Sequence, residues 1–160
     1  MKVLFLHGLE SKPGGTKPKF LKLAGYEVLN PQLPKEDFLE SIRITQEAID
    51  RESPDVVIGS SRGGAVGMCV STRGAPLILI APAWRKFTTP LQMNEWDIRV
   101  DAKSTMILHS DNDSIVLPED SESLVERNNI QRICIGKDHR MSDPEALEAI
   151  LDVAKFLTKQ

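Results

Sequence analysis

Short apolar runs punctuate the chain, separated by longer amphipathic stretches. Val3-Leu4-Phe5-Leu6 stops at His7-Gly8, and Tyr26-Glu27-Val28-Leu29 stops at Asn30-Pro31. Val56-Val57-Ile58 is entered from Pro54-Asp55 and left at Gly59, and Leu77-Ile78-Leu79-Ile80 ends just before Pro82. Thr105 to Leu108 and Arg132 to Ile135 are the fifth and sixth runs, the last ending at Gly136. The runs are near-continuously apolar rather than alternating, the pattern of parallel strands covered on both faces.

The intervening segments carry helical spacing. Phe38, Ile42, Thr45 and Ile49 predict a helix over Glu36 to Arg51, stopped before Pro54. Gly63 to Ser71 reads as a short, small-residue helix directly after the third strand. Pro118 to Glu126 has acidic residues in its first turn, where a helix favours them. Pro144 marks the start of a last helix with a stripe of Leu147, Ile150, Leu151, Ala154 and Leu157. Strands alternating with helices predict an α/β fold with a doubly wound, mostly parallel sheet, in one domain spanning residues 1–160. Leu9 to Lys19 is a loop rich in Pro, Gly, Ser and Lys, with a helix starting after it. Ala81 to Lys103 is a long connection holding both tryptophans, of the kind that forms lids or binding loops.

Composition narrows the function classes. Among 160 residues, 41% are hydrophobic and the net charge is −3, which excludes a basic nucleic-acid footprint. The two cysteines, Cys69 and Cys134, exclude a disulfide framework and a four-cysteine zinc site. Both read as buried small apolar residues. No apolar run approaches the roughly 20 residues of a membrane span, and Val3 to Leu6 is too short for a signal-peptide core. The expectation is a cytoplasmic protein.

The sharpest chemical signal is Gly59-Ser60-Ser61-Arg62-Gly63-Gly64. It contains Gly-x-Ser-x-Gly between a predicted strand and a predicted helix, the context of a nucleophile elbow with Ser61 exposed at the turn. The flanking residues must be small for strand and helix to approach, and Gly59 and Gly63 are. The backbone N–H of Arg62 would then face a developing oxyanion at the positive end of the helix. An ordinary Gly-rich turn gives the same six residues, so the motif needs company. His7-Gly8-Leu9, after the first strand, supplies some. It resembles the His-Gly pair that in α/β-hydrolases shapes the loop offering a second oxyanion N–H, which implies Leu9 as that donor, with Gly8 letting the loop turn. A phosphate-binding loop over Gly8 to Thr16 fails, because Pro13 stands where Gly is needed and no Gly-Lys-Ser/Thr follows.

After the fifth strand comes His109-Ser110-Asp111-Asn112-Asp113-Ser114-Ile115-Val116. Asp113 is the preferred acid, because only it gives the spacing Asp-x-x-Val; Asp111 is the alternative, and an acidic turn is the plain reading. Two near carboxylates with no histidine cluster beside them do not suggest a metal. Asn112-Asp113-Ser114 also matches a glycosylation sequon, discounted for a cytoplasmic chain. His7 and His109 read as loop-shaping residues at strand ends. The third histidine, His139, lies in the last strand-to-helix loop. The order Ser61, Asp113, His139 is that of a hydrolase triad, in which a neutral imidazole takes the serine proton.

Together these motifs resemble the α/β-hydrolase superfamily over nearly the whole chain. Leu6 to Pro13, Lys17, Pro31-Gln32-Leu33-Pro34 and Gly59-Ser60-Ser61 are similar to small, lid-poor esterases of the YqiA-like family. The resemblance implies six strands in the order 2-1-3-4-5-6, a minimal fold without a large cap, and no cofactor or metal. It implies cleavage of a small ester or thioester by Ser61, His139 and Asp113, with Leu9 and Arg62 N–H groups as oxyanion hole. Residues 81–104 would form a short lid-like insertion, whose Trp84, Phe87, Met93 and Trp96 either line an apolar substrate site or pack the loop onto the domain. The chain departs from the family pattern in three places. Arg62 follows the serine where leucine or methionine is usual; it either attracts acidic substrates or is a solvated helix-start arginine. Ser110 replaces a glycine, and Leu117 displaces the proline after Val116. The rival readings are a catalytically silent binding module, or a thioesterase or peptidase on the same site. The expected partner is a small molecule, with no nucleic acid and no membrane span, and the sequence leaves the oligomeric state open.

Overall fold

The computed structural model describes residues 1–88, 100 and 104–159. Six strands, β1 (Lys2–Leu6), β2 (Glu27–Leu29), β3 (Val56–Ser60), β4 (Leu77–Ile80), β5 (Thr105–His109) and β6 (Gln131–Cys134), form one parallel sheet in the order β2-β1-β3-β4-β5-β6. Among the described residues six helices join them: α1 (Thr16–Leu23), α2 (Phe38–Glu52), α3 (Arg62–Gly67), α4 (Trp84–Thr88), α5 (Pro118–Asn128) and α6 (Pro144–Thr158). The order reverses at β1 and β3, so their C-terminal ends open a crevice between divergent connections.

Alternate side chains of each strand enter opposite layers. Val3, Phe5, Val56, Ile58, Ile78 and Ile80 pack with Leu21 of α1 and Ile150, Ala154 and Leu157 of α6. Leu4, Leu6, Val57, Leu77 and Leu79 pack on the other face with Ile49 of α2, Val66 of α3, Trp84 of α4 and Leu124 of α5. Burial on both faces explains why the runs read as unbroken apolar sequence, and each such side chain contributes about 1.5–3 kcal/mol.

Helix boundaries follow local hydrogen bonding. The helix predicted from Glu36 begins at Phe38, because the Asp37 side chain caps it by accepting from Glu40 N–H at 2.9 Å. It ends with Ser53 in the left-handed region. The helix predicted over Gly63 to Ser71 runs instead from Arg62 to Gly67, since the Ser61 carbonyl already accepts from the N–H groups of Gly64 and Ala65. In the loop before α6, Asp143 accepts from Ala146 N–H at 3.2 Å and from Lys137 N–H at 3.0 Å, tying the helix start to that loop. The long stretch from Ala81 to Lys103 contains α4; most of the remainder, with Met93 and Trp96, lies outside the described residues. Cys134 departs from its expected burial. It is exposed, because β6 is an edge strand.

α3 approaches β1 and β3 closely. A Cβ on Gly63 would lie 2.1 Å from the Leu6 carbonyl oxygen, and one on Gly59 would lie 2.5 Å from the Gly63 carbonyl oxygen. These contacts are backbone on backbone, so no rotamer change relieves them. Gly63→Ala should therefore destabilise the fold by about 3 kcal/mol in urea denaturation. A loss below about 0.5 kcal/mol, the scale of a neutral surface change, would mean that α3 can move off β1 freely.

Candidate active site

The chain leaves β3 through a sharp turn at Ser61, whose φ of 54° and ψ of −114° put a non-glycine residue in a strained conformation. Such a backbone costs about 1–3 kcal/mol and is held by its surroundings. Here Ser61 N–H donates to the Ile80 carbonyl at 2.8 Å, and the Ser61 carbonyl also accepts from Ala83 N–H at 3.0 Å. The turn presents the Ser61 hydroxyl to a cleft of about 890 Å³ at the C-terminal edge of the sheet.

His139 reaches this hydroxyl from the β6–α6 loop, with Nε2 3.0 Å from Ser61 Oγ. Its Nδ1 lies 2.7 Å from Asp113 Oδ2. Because the carboxylate can only accept, Nδ1 carries the proton and Nε2 is free to accept from the serine. Asp113, not Asp111, therefore stands beside the imidazole. Asp111 is exposed and paired with Arg132. The loops that bring Asp113 and His139 together are joined by Ser110, whose buried hydroxyl donates to the Gly136 carbonyl at 2.8 Å and accepts from Asn112 N–H at 3.1 Å. Ser110 is thus a clasp between the two loops.

Asp113 is buried and fully engaged. Oδ1 accepts from the N–H groups of Ile115 at 2.8 Å and Val116 at 2.9 Å. Oδ2 accepts from His139 and from a second imidazole, His109, whose Nε2 lies 3.0 Å away. Burial alone would raise the carboxyl's pKa, but the hydrogen bonds from His139, Val116 and Ile115 outweigh it and hold Asp113 below the usual carboxylate range.

His109 was expected only to shape its loop; it also touches the acid. Its Nε2 faces two acceptors, Asp113 Oδ2 and the Val116 carbonyl at 3.0 Å, so it carries the proton. Its Nδ1 then accepts from the Ser121 hydroxyl at 2.6 Å. Burial is the main influence on its pKa and pushes it down, against the pull of Asp113, keeping the ring neutral. No sequence motif marks this pairing, although the i, i+4 spacing of His109 and Asp113 is a signal that could have raised it.

The first loop is fixed by side chains that sequence reading undervalued. His7 Nε2 accepts from Leu33 N–H at 3.0 Å, so its Nδ1–H donates to the Gly8 carbonyl at 2.9 Å. Asn30 accepts from Gly14 N–H at 2.7 Å and donates to the Phe5 carbonyl at 2.8 Å, clipping the same loop to β1. Leu9 lines the cleft with Ser61. Arg62 is the first residue of α3, where an N–H has no partner within the helix. Among the described residues, neither the Leu9 nor the Arg62 N–H donates to a backbone carbonyl.

The Arg62 side chain corrects both sequence readings. It neither meets solvent nor enters the cleft, but is buried under α2 and α4. Its guanidinium donates to the Pro34 carbonyl at 2.6 Å and to Ser41 Oγ at 3.2 Å. It also lies 5.5 Å from the ring centres of both Phe38 and Phe87, where a cation is attracted to the ring faces. Trp84 is corrected too. It is buried in the core, with its indole N–H donating to the Asp120 carbonyl at 3.0 Å, and it does not line the cleft. Phe87 does line the cleft, while stacking on Phe38 at 5.6 Å. The third aromatic candidate, Trp96, lies outside the described residues. Neither cysteine belongs to the site; burial pushes the Cys69 thiol up to about 11, and an Asp111 hydrogen bond raises Cys134. Among the described residues, no group of three or more His, Cys, Asp and Glu side chains converges to hold a metal.

The neutral, buried His109 has a stability consequence. In the unfolded chain it binds a proton near its ordinary pKa of 6.5, while in the fold its pKa is lower. The unfolded state therefore gains protons first on acidification, and stability falls as pH drops below about 6.5, by at most about 1.4 kcal/mol per unit for this group. Asp113 acts in the same direction only below its ordinary value of 3.8. The slope of unfolding free energy between pH 7 and 5 should be shallower in His109→Gln than in the wild type. Equal slopes would mean that His109 titrates alike in both states.

No protein-family model and no curated protein sequence matches the chain. Solved structures do. Est1E from Butyrivibrio proteoclasticus with bound ferulic acid superposes with a TM-score of 0.76 at 17% identity, over 99% of this chain and 88% of that one. Mouse alpha/beta hydrolase domain-containing protein 10 gives 0.73 at 15% identity, over 99% and 89%. An alpha/beta hydrolase enzyme from a sediment metagenome of the Mar Chica lagoon, Morocco, gives 0.72 at 17% identity, over 99% and 91%. With its strand order and helical layers, the chain has the α/β-hydrolase fold.

Proposed function

We propose that this protein is a serine hydrolase of carboxylesterase type that cleaves a small ester or thioester through an acyl-enzyme. The observation that carries the reading is the continuous hydrogen-bonded chain from Ser61 Oγ through His139 to Asp113. In this mechanism Ser61 Oγ attacks the substrate carbonyl while His139 Nε2 takes its proton. The resulting imidazolium is stabilised by Asp113, which stays ionised. The carbonyl oxygen, now negative, is held by the N–H groups of Leu9 and Arg62. His139 then protonates the leaving alcohol or thiol, and the tetrahedral intermediate collapses to the acyl-serine. Water, deprotonated by the same imidazole, releases the acid and restores Ser61.

Two further facts support the reading. The strained Ser61 backbone at the mouth of the cleft is the kind of outlier that clusters at active sites. The cleft's volume falls within the range of small-molecule sites. The structural neighbours bring Est1E with bound ferulic acid and an alpha/beta hydrolase enzyme as comparators.

The wild type should hydrolyse 4-nitrophenyl butyrate and label with a fluorescent fluorophosphonate. Ser61→Ala should lose the label and lower kcat by about 10³-fold or more. A folded wild type that neither labels nor turns over any short ester would favour a silent binding module.

A further inference from the structure

Lys17 stands in the second position of α1 and lines the cleft that holds Ser61 and His139. The Lys17 ammonium makes no hydrogen bond or ion pair with any described residue. The charges around it do not cancel. Lys12, Lys17, Lys86 and Arg140 line the cleft against Glu10, Asp120 and Asp138. Glu10 is paired with Lys35 at 3.1 Å, and Asp120 with Arg85 at 2.7 Å, both cations outside the cleft lining. Among the described residues Asp138 is then the carboxylate acting on Lys17, and Arg140 opposes it from the same loop. Among the described residues the cleft lining is cationic, although the whole chain carries a net charge of −3.

We propose that Lys17 forms an anion subsite beside His139, so that the substrates are esters or thioesters carrying a carboxylate or phosphate near the scissile bond. The proposal rests on the hydrolase reading for the word substrate, but not for the anion site. Burial pushes the ammonium down to about 8, so it remains mostly protonated at neutral pH in a place where its charge is poorly hydrated. A desolvated cation with no ion-pair partner gains most from an incoming anion, because part of its desolvation cost is already spent in the free protein. The cleft lining also offers apolar surface at Leu9, Phe87, Ile115 and Val116. Cationic and apolar groups in one cleft suit a molecule with an apolar part and an anionic end.

The test compares mono-4-nitrophenyl glutarate with 4-nitrophenyl butyrate. In the wild type, kcat/KM should favour the glutarate ester. In Lys17→Gln the ratio of the two values should fall about tenfold or more, the range for a charge-assisted hydrogen bond, and Lys17→Arg should recover much of it. A ratio unchanged in Lys17→Gln, or both esters falling together, would overturn the proposal. A second readout needs no turnover. Glutarate titrated calorimetrically into Ser61→Ala should bind, and should not bind Ser61→Ala/Lys17→Gln; phosphate run in parallel tells which anion the site prefers. Glutarate binding that depends on Lys17 in a protein without fluorophosphonate labelling would keep the anion site and remove the hydrolase reading. Labelling without any effect of Lys17 on glutarate would do the reverse.

Discussion

The close approach of α3 to β1 and β3 is the constraint on which the C-terminal edge of the sheet depends. Backbone meets backbone there, with Gly63 against the Leu6 carbonyl and Gly59 against Gly63. Without that proximity the chain could leave β3 by a wide loop, and Ser61 would relax from its strained turn. With it, the serine is forced outward while its own N–H and carbonyl are held by Ile80, Gly64, Ala65 and Ala83. The strain is local, and the bonds that contain it belong to the surrounding strands and helices. A side chain on such a turn is held in place with little backbone freedom left.

Asp113 organises the opposite side of the cleft by a different means. Four donors converge on one carboxylate: two backbone N–H groups and two imidazoles. A buried carboxylate in an apolar setting would take up a proton; this one is held ionised by its partners. The two imidazoles are not equivalent. His109 is wholly buried and locked between Ser121, Val116 and the acid, while His139 remains partly exposed and touches Ser61. One ring braces the acid and the other faces the cleft. The Ser110 clasp to Gly136 keeps the two loops from drifting apart.

Much of this was legible in the residues, for identifiable reasons. Parallel strands buried on both faces leave unbroken apolar runs, so the six strands and their α/β arrangement could be read directly. Ser61 and His139 stood out because each followed a strand in a recognisable order. Asp113 could be preferred by its spacing, but the structure was needed to turn Asp111 toward Arg132. What sequence could not supply was the fate of side chains whose partners are distant in the chain. Arg62 at a helix start ordinarily points to water; here Pro34, Ser41, Phe38 and Phe87 enclose it. Trp84 was read by its neighbourhood in a long loop, whereas its position at the start of α4 turns it into the core. Cys134 was judged by its apolar run, and only the strand order reveals that the run ends at a sheet edge.

The enclosed Arg62 guanidinium has an effect beyond packing. It joins the first turn of α3 to the segment that starts α2, by two hydrogen bonds and the Phe38 ring, and to α4 by the Phe87 ring. His7 reaches the same segment from the other side through Leu33 N–H. The turn at Ser61 and residues 33–41 are therefore fastened to each other through side chains, so the turn is braced by a stretch of chain that does not line the cleft.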